Sequence, residues 1–206
     1  MNFLMENFDE ALKLFLEHVN MVSLTLLISL LIAVPVGMLV SRVSKLYVPV
    51  TGFLGILYTI PSLALFAFLI PFTGLGVKTA IIGLVIYTQM ILVRNVVAAI
   101  QGIDPLVIEA AKAMGMTKAH IIFKIELPLA IPVVVAGIRI AAVSTINIAT
   151  IAAWINAGGL GRLIFDGLKQ NSVDKIIAGI IVIAFLAIIT DFIFRSIEKM
   201  TTPKSA

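Results

Sequence analysis

The residues with chemistry to offer are few: one arginine inside an apolar run, three aromatic rings among aliphatic neighbours, and one polar stretch with helix punctuation at both ends. Arg139 lies about 12 residues into its run, or ~18 Å at 1.5 Å per residue, near the middle of a bilayer if the run spans one. A charge at that depth is costly and faces a partner or water. Two roles are open to it: lining a path and meeting a solute carboxylate, or pairing with Asp191 or backbone carbonyls. Asn147, with Thr145 and Ser144, continues the polar side of the same segment. Tyr58, Tyr87 and Trp154 offer ring faces that attract a cation by about 0.5 to 2 kcal/mol each. The same residue types also gather at membrane interfaces as anchors. For an intramembrane enzyme one would look for paired acids, a serine with a His or Lys base, or H-E-x-x-H, and the chain has none of these. His18 and His120 lie outside the apolar runs without neighbouring ligands and read as surface residues. With no cysteine there is no thiolate metal site and no disulfide, so no catalytic residue, metal or cofactor is assigned to this chain.

The elements that carry these residues read as membrane helices. Of the 206 residues, 61% are hydrophobic and 13% charged, against roughly 25% charged in an ordinary soluble domain. A bilayer span takes about 20 mostly apolar residues, and on that measure the chain offers five, at about 19–41, 50–70, 79–99, 128–155 and 175–194. The expected fold is therefore an all-α integral membrane protein of five transmembrane helices, forming one domain over 19–198. Residues 1–18 form a lead-in and 199–206 a tail. The lead-in carries Glu6, Asp9, Glu10 and Glu17, the opposite of a basic secretory n-region, so no cleaved signal is expected. Its apolar residues recur at helical spacing, which suits either a helix on the outer membrane surface or a soluble lead-in helix.

Five spans put the termini on opposite sides. One orientation gathers Arg42, Lys45, Lys112, Lys118, Lys124, Arg195, Lys199 and Lys204 on one face of the membrane, and leaves Lys13, Lys78, Arg162, Lys169 and Lys175 on the other. Eight against five favours an external N-terminus and a cytoplasmic C-terminus by the positive-inside rule. The formal charge of +4 fits that bias and does not suggest nucleic acid as a partner. No repeat of fixed period is present, so the inverted repeats of many stand-alone secondary transporters are missing.

This orientation leaves residues 104–126 in the cytoplasm. Asp104 suits a helix N-cap and Pro105 the first helical turn; Gly115 suits a left-handed stop and Thr117 the cap of a second helix, ending near Ile125 before Pro128 opens the next span. The expected shape is two short helices joined by a bend, with small residues for close approach and Glu109, Lys112 and Lys118 at a polar rim. The E-A-A of Glu109, Ala110 and Ala111, the Gly115 six residues after the glutamate, and the I-x-L-P of Ile125, Leu127 and Pro128 resemble the signature loop of binding-protein-dependent ABC importer permeases. The resemblance implies a coupling helix that enters a groove of a separate nucleotide-binding subunit, which binds ATP and Mg. In keeping with that, this chain has no G-x-x-x-x-G-K-[ST] loop. The other implied partners are a second permease copy or paralogue, an extracellular or periplasmic substrate-binding protein and the lipid of a bacterial cell membrane, which the chain crosses several times.

Nearly the whole chain resembles permeases for osmoprotectant quaternary amines, namely glycine betaine, carnitine and choline. The stretches that carry this are I-P-S-L-A-L-F-A-F-L-I-P at 60–71, L-P-L-A-I-P-V-V-V-A-G-I-R at 127–139, A-G-G-L-G at 157–161, and D-F-I-F with E-K-M-T-T-P-K near the C-terminus. Methionine permeases of the same superfamily share A-G-G-L-G, so methionine or another amino-acid-like solute is the alternative cargo. The resemblance makes Tyr58, Tyr87, Arg139, Asn147 and Trp154 candidates for a substrate path. Gly158, Gly159 and Gly161 are candidates for an external gate, or for a plain helix stop.

Overall fold

The computed structural model describes residues 7 to 202, and among these every regular element is helical. Helix α1 is Phe8–Arg42. Two shorter helices follow, α2 (Ser44–Thr59) and α3 (Ser62–Thr73), and then the long α4 (Val77–Gln101). The polar stretch forms α5 (Pro105–Ala113) and α6 (Lys118–Ile121). A π turn (Ile122–Glu126) leads from α6 without a break into α7 (Leu127–Ala152), which ends in a 3-10 turn at Ala153–Ile155. The chain closes with α8 (Gly161–Lys169) and α9 (Val173–Thr201).

Four uninterrupted helical stretches are long and apolar enough to cross a bilayer, and the bent pair α2–α3 brings the number to as many as five. Helix α4 is the hub: α1 and α2 pack along it, α7 packs on its other side, and α9 packs on α7. Small residues permit these crossings, as is usual between membrane helices. A Cβ on Gly137 of α7 would stand 2.5 Å from that of Asn95 on α4. The outward faces are apolar instead, with Leu31 on α1 and Ile188 and Phe192 on α9 largely exposed. Such a surface is untenable in water and ordinary against lipid tails.

Four departures from expectation have physical causes. The lead-in does not form a separate surface helix: residues 8 to 18 continue straight into the first span, where Ala11 and Leu14 share the buried phase of Met21, Val22 and Thr25 while Phe8, Leu12 and Leu16 stay exposed. The second span is not one straight helix. It breaks at Ile60, which is extended (φ −65°, ψ 129°), and the two halves meet at 96°. Pro61 accounts for this, since proline disfavours α geometry in the residue before it. The short helix expected to end near Ile125 instead runs on into α7 through the π turn, where Leu127 N–H donates to the Ile122 carbonyl. Pro128 lacks the N–H that Lys124 would require and its ring crowds that carbonyl, so the helix widens just ahead of it. Finally, α8 lies between the fourth and fifth expected spans, where no helix is assigned from the sequence.

His18 is a further correction. It is fully buried rather than a surface residue. The buried positions of α1 include Leu14, His18, Met21, Val22, Thr25, Ser29 and Ala33, which recur at helical spacing along one face. His18 falls in that phase.

Candidate functional site

Three groups of residues have functional potential, at the two ends of the bundle and in between. At one end lies the α5–α6 loop. Asp104 Oδ1 accepts from the Leu106 N–H at 2.9 Å, and Pro105 fills the first turn of α5. Helix α5 closes with Gly115 N–H donating to the Lys112 carbonyl and Met116 N–H to that of Ala111. This closure puts Gly115 at φ +76°, a left-handed conformation that suits glycine. Thr117 Oγ1 then caps α6 by accepting from the His120 N–H at 3.3 Å.

Within this loop Ala111 is buried, whereas Glu109, Ala110 and Gly115 face outward. Ile125 is half-buried beside the exposed Leu127 and Pro128. Apolar side chains stand out as well: Leu106, Val107, Met114 (74% exposed) and Phe123 (70%). Clustered apolar exposure of this kind marks a contact surface. The loop is tied to the bundle by a contact not anticipated from sequence, Arg42 Nη2 to Glu126 Oε2 at 2.5 Å, which joins the end of α1 to the π turn.

Between the two ends, Arg139 pairs with partly exposed carboxylates of α9: Nε lies 3.6 Å from Asp191 Oδ1 and Nη1 3.3 Å from Glu198 Oε2. The expected ion pair with Asp191 is present, extended by Glu198. Asn147 is exposed and donates to the Val143 carbonyl of its own helix at 3.0 Å. Tyr58 and Tyr87 meet edge to face with centroids 5.9 Å apart, and the buried Tyr87 hydroxyl donates to the Ile60 carbonyl freed at the α2–α3 break. Trp154 does not join this pair. It packs on Phe165 of α8, centroids 5.4 Å apart, and remains 58% exposed.

The other end holds the glycine loop. Gly158 and Gly159 are left-handed (φ +77° and +76°), and a Cβ on Gly161 would stand 1.9 Å from the Thr150 carbonyl. The loop is pinned to α1 by two consecutive residues. Gly159 N–H donates to Glu17 Oε2 at 3.1 Å, and Leu160 N–H donates to His18 Nδ1 at 3.3 Å. Since Nδ1 accepts, Nε2 carries the proton and donates to the Ile146 carbonyl at 3.1 Å, which makes the ring neutral. Sequence spacing alone does not connect positions 17 and 18 with 159 and 160. The available signal was the helical phase that puts His18 on the packed face. An open cavity of about 620 Å³ lies beside this loop, with Glu17, Trp154, Gly158 and Phe165 among its walls.

Residues 25–202 match the family model described as the binding-protein-dependent transport system inner membrane component. The chain is 39% identical to the carnitine transport permease protein OpuCB of Listeria monocytogenes, across 98% of this chain and 93% of that protein. It is 38% identical to the glycine betaine/carnitine/choline transport system permease protein OpuCB of Bacillus subtilis, across 99% and 94%. With the osmoprotectant import permease protein OsmW of Salmonella typhimurium it shares 35% identity across 98% and 97%. Among solved structures, a chain of the MetNI methionine ABC transporter in an inward-facing conformation superposes with a TM-score of 0.82 at 26% identity, covering 91% of this chain and 94% of that one. A helical bundle with an outward apolar surface, a capped loop at one end and these full-length relatives lead to one conclusion: the chain belongs to the binding-protein-dependent transport system inner membrane components, the multi-pass permease subunits of ABC importers.

Proposed function

We propose that this permease carries an osmoprotectant quaternary amine (glycine betaine, carnitine or choline) into the cell after an external binding protein delivers it. The observation that carries the reading is near full-length similarity, at 35 to 39% identity, to permeases named for these solutes. The N-terminus lies outside and the C-terminus in the cytoplasm, as the distribution of Lys and Arg favours. Two permease copies or paralogues surround a central path, and a separate ATPase under each binds ATP and Mg. ATP closes the ATPase pair, the docked loops move, and the path opens outward.

In this reading residues 105 to 125 are the coupling element. Glu109, Ala110, Ala111 and Gly115 shape the docking helix and its exit, and Ile125, Leu127 and Pro128 set its junction with α7. The exposed Leu106, Val107, Met114 and Phe123 support docking, since an ATPase groove would cover them. Tyr58, Tyr87, Asn147 and Trp154 border the path, Arg139 braces it through its ion pairs, and Gly158, Gly159 and Gly161 form the external gate.

Methionine or a similar amino acid is the second reading, favoured by the fold shared with the methionine transporter at 25 to 26% identity. Reconstitution with the ATPase and binding protein decides between them, using betaine, carnitine, choline, proline and methionine. ATPase stimulation and uptake are expected with at least one of the three amines, and stimulation by methionine alone overturns the proposal.

A further inference from the structure

We infer that the cavity beside the glycine loop is a transit site for a zwitterion bearing both a trimethylammonium group and a carboxylate, and that it favours betaine or carnitine over choline. The inference rests on the osmoprotectant reading above and refines it. The cavity, about 620 Å³, is larger than such a solute and lies at the end of the bundle opposite the α5–α6 loop. It therefore opens on the side from which a binding protein would deliver cargo.

Its walls carry complementary features from two elements. Arg162, Phe165, Asp166 and Lys169 fall at i, i+3, i+4 and i+7 of α8, which aligns them on one face. The opposite face of α8 is buried through Leu163 and Gly167, so the polar stripe turns toward the cavity. Across from it, α1 contributes Glu17 and the 3-10 turn contributes Trp154. The indole is exposed although it is the largest side-chain type, and Phe165 braces it. Two aromatic rings with two carboxylates suit a cation that cannot donate hydrogen bonds from nitrogen. Arg162 and Lys169 supply the opposite charge. The Arg162–Asp166 contact, at 3.5 Å, runs through Nε, so it does not engage the terminal nitrogens of the guanidinium. The four charges cancel, so a simple cation or anion gains no net attraction. A zwitterion can satisfy both halves, whereas choline brings no carboxylate to the terminal nitrogens of Arg162 or to Lys169.

Trp154 is the chain's single tryptophan, so its emission reports on this cavity alone. The full chain in liposomes, which bring no tryptophan of their own, is titrated with glycine betaine, carnitine, choline and, as an ionic control, sodium chloride. Betaine and carnitine are expected to change the emission saturably, with choline about tenfold weaker, the worth of one charge-assisted contact. K169A together with R162A should erase that tenfold gap while emission still responds. In the complete transporter, W154A should raise the KM for betaine uptake severalfold and W154F should largely restore it. Emission that ignores all three amines, or follows sodium chloride equally, overturns the inference. If betaine uptake proceeds with unchanged KM in W154A and K169A, the cavity assignment fails and the osmoprotectant reading stands. If the wild-type transporter moves methionine and none of the amines, both fail.

Discussion

At the scale of single residues, the most constrained side chains are those that receive or supply polar contacts across helices. His18 satisfies two backbone groups 128 and 142 residues away in sequence through buried hydrogen bonds. H18A leaves the Leu160 N–H without its acceptor, whereas the Ile146 carbonyl keeps Thr150 Oγ1 as a donor, so a cost of about 1 to 3 kcal/mol for the one orphaned group is expected. The measurement is thermal unfolding in nanodiscs, and an unchanged midpoint would show that water replaces the ring. Arg139 is held by two carboxylates that are themselves only partly buried. R139A should therefore cost far less than loss of a fully buried pair, about 1 kcal/mol or less, and D191N with E198Q should recover much of it by removing the stranded charge. A double-mutant unfolding series tests this. Arg139 and Asp191 were visible as possible partners in the sequence because charges in apolar runs are conspicuous. Glu17 and His18 were not, since their partners are backbone groups of a distant loop and carry no residue-type signal.

At the scale of elements, capping chemistry was the most legible feature. Asp104, Pro105, Gly115 and Thr117 each occupy the position their chemistry favours, because a cap acts within three or four residues and needs no tertiary knowledge. Gly115 at φ +76° has open space around its missing Cβ, so G115A should cost only the left-handed backbone penalty, roughly 1 kcal/mol. Its expected effect is on transmission: ATPase co-purification weakens and uptake per ATP falls while the bundle stays folded. Full uptake with normal co-purification would remove residues 105 to 125 from the coupling role. The breaks were less legible. A proline inside an apolar run signals disturbance without saying which kind. Pro61 produces a 96° bend, Pro128 a π turn, and Pro35 sits inside the unbroken α1. Which outcome prevails depends on what the neighbouring helices receive, here the Tyr87 hydroxyl at the Ile60 carbonyl. Helix α8 escaped notice because nine residues of mixed polarity between glycines resemble a loop until the buried face of Leu163 and Gly167 is seen.

At the scale of the whole molecule, the lack of cysteine makes topology directly testable. Single-cysteine variants at Asn7 and at Met116 should divide cleanly: an impermeant maleimide should reach the first in intact cells and the second only after permeabilisation. Labelling in the opposite order would invert the assignment of the two ends, and with it the coupling role of the α5–α6 loop. Length matters here as well. Helix α1, with 35 residues, is roughly 52 Å long at 1.5 Å per residue, well beyond a ~30 Å hydrocarbon core, so its first turns stand clear of the lipid and can carry Glu17 and His18 to the glycine loop. The π turn at Ile122–Glu126 bears on the molecule as a matter of azimuth. Each residue of an α-helix turns the chain by about 100°, and a π turn amounts to one residue inserted in the count. Deleting one residue there would keep composition, hydropathy and the continuity of α7, yet swing the docking helix about a quarter of the way around the span's axis. If the α5–α6 loop docks an ATPase as proposed, such a variant should insert and fold with that ATPase displaced to the wrong side of the bundle, and the π turn is then the phase-setting joint between the two.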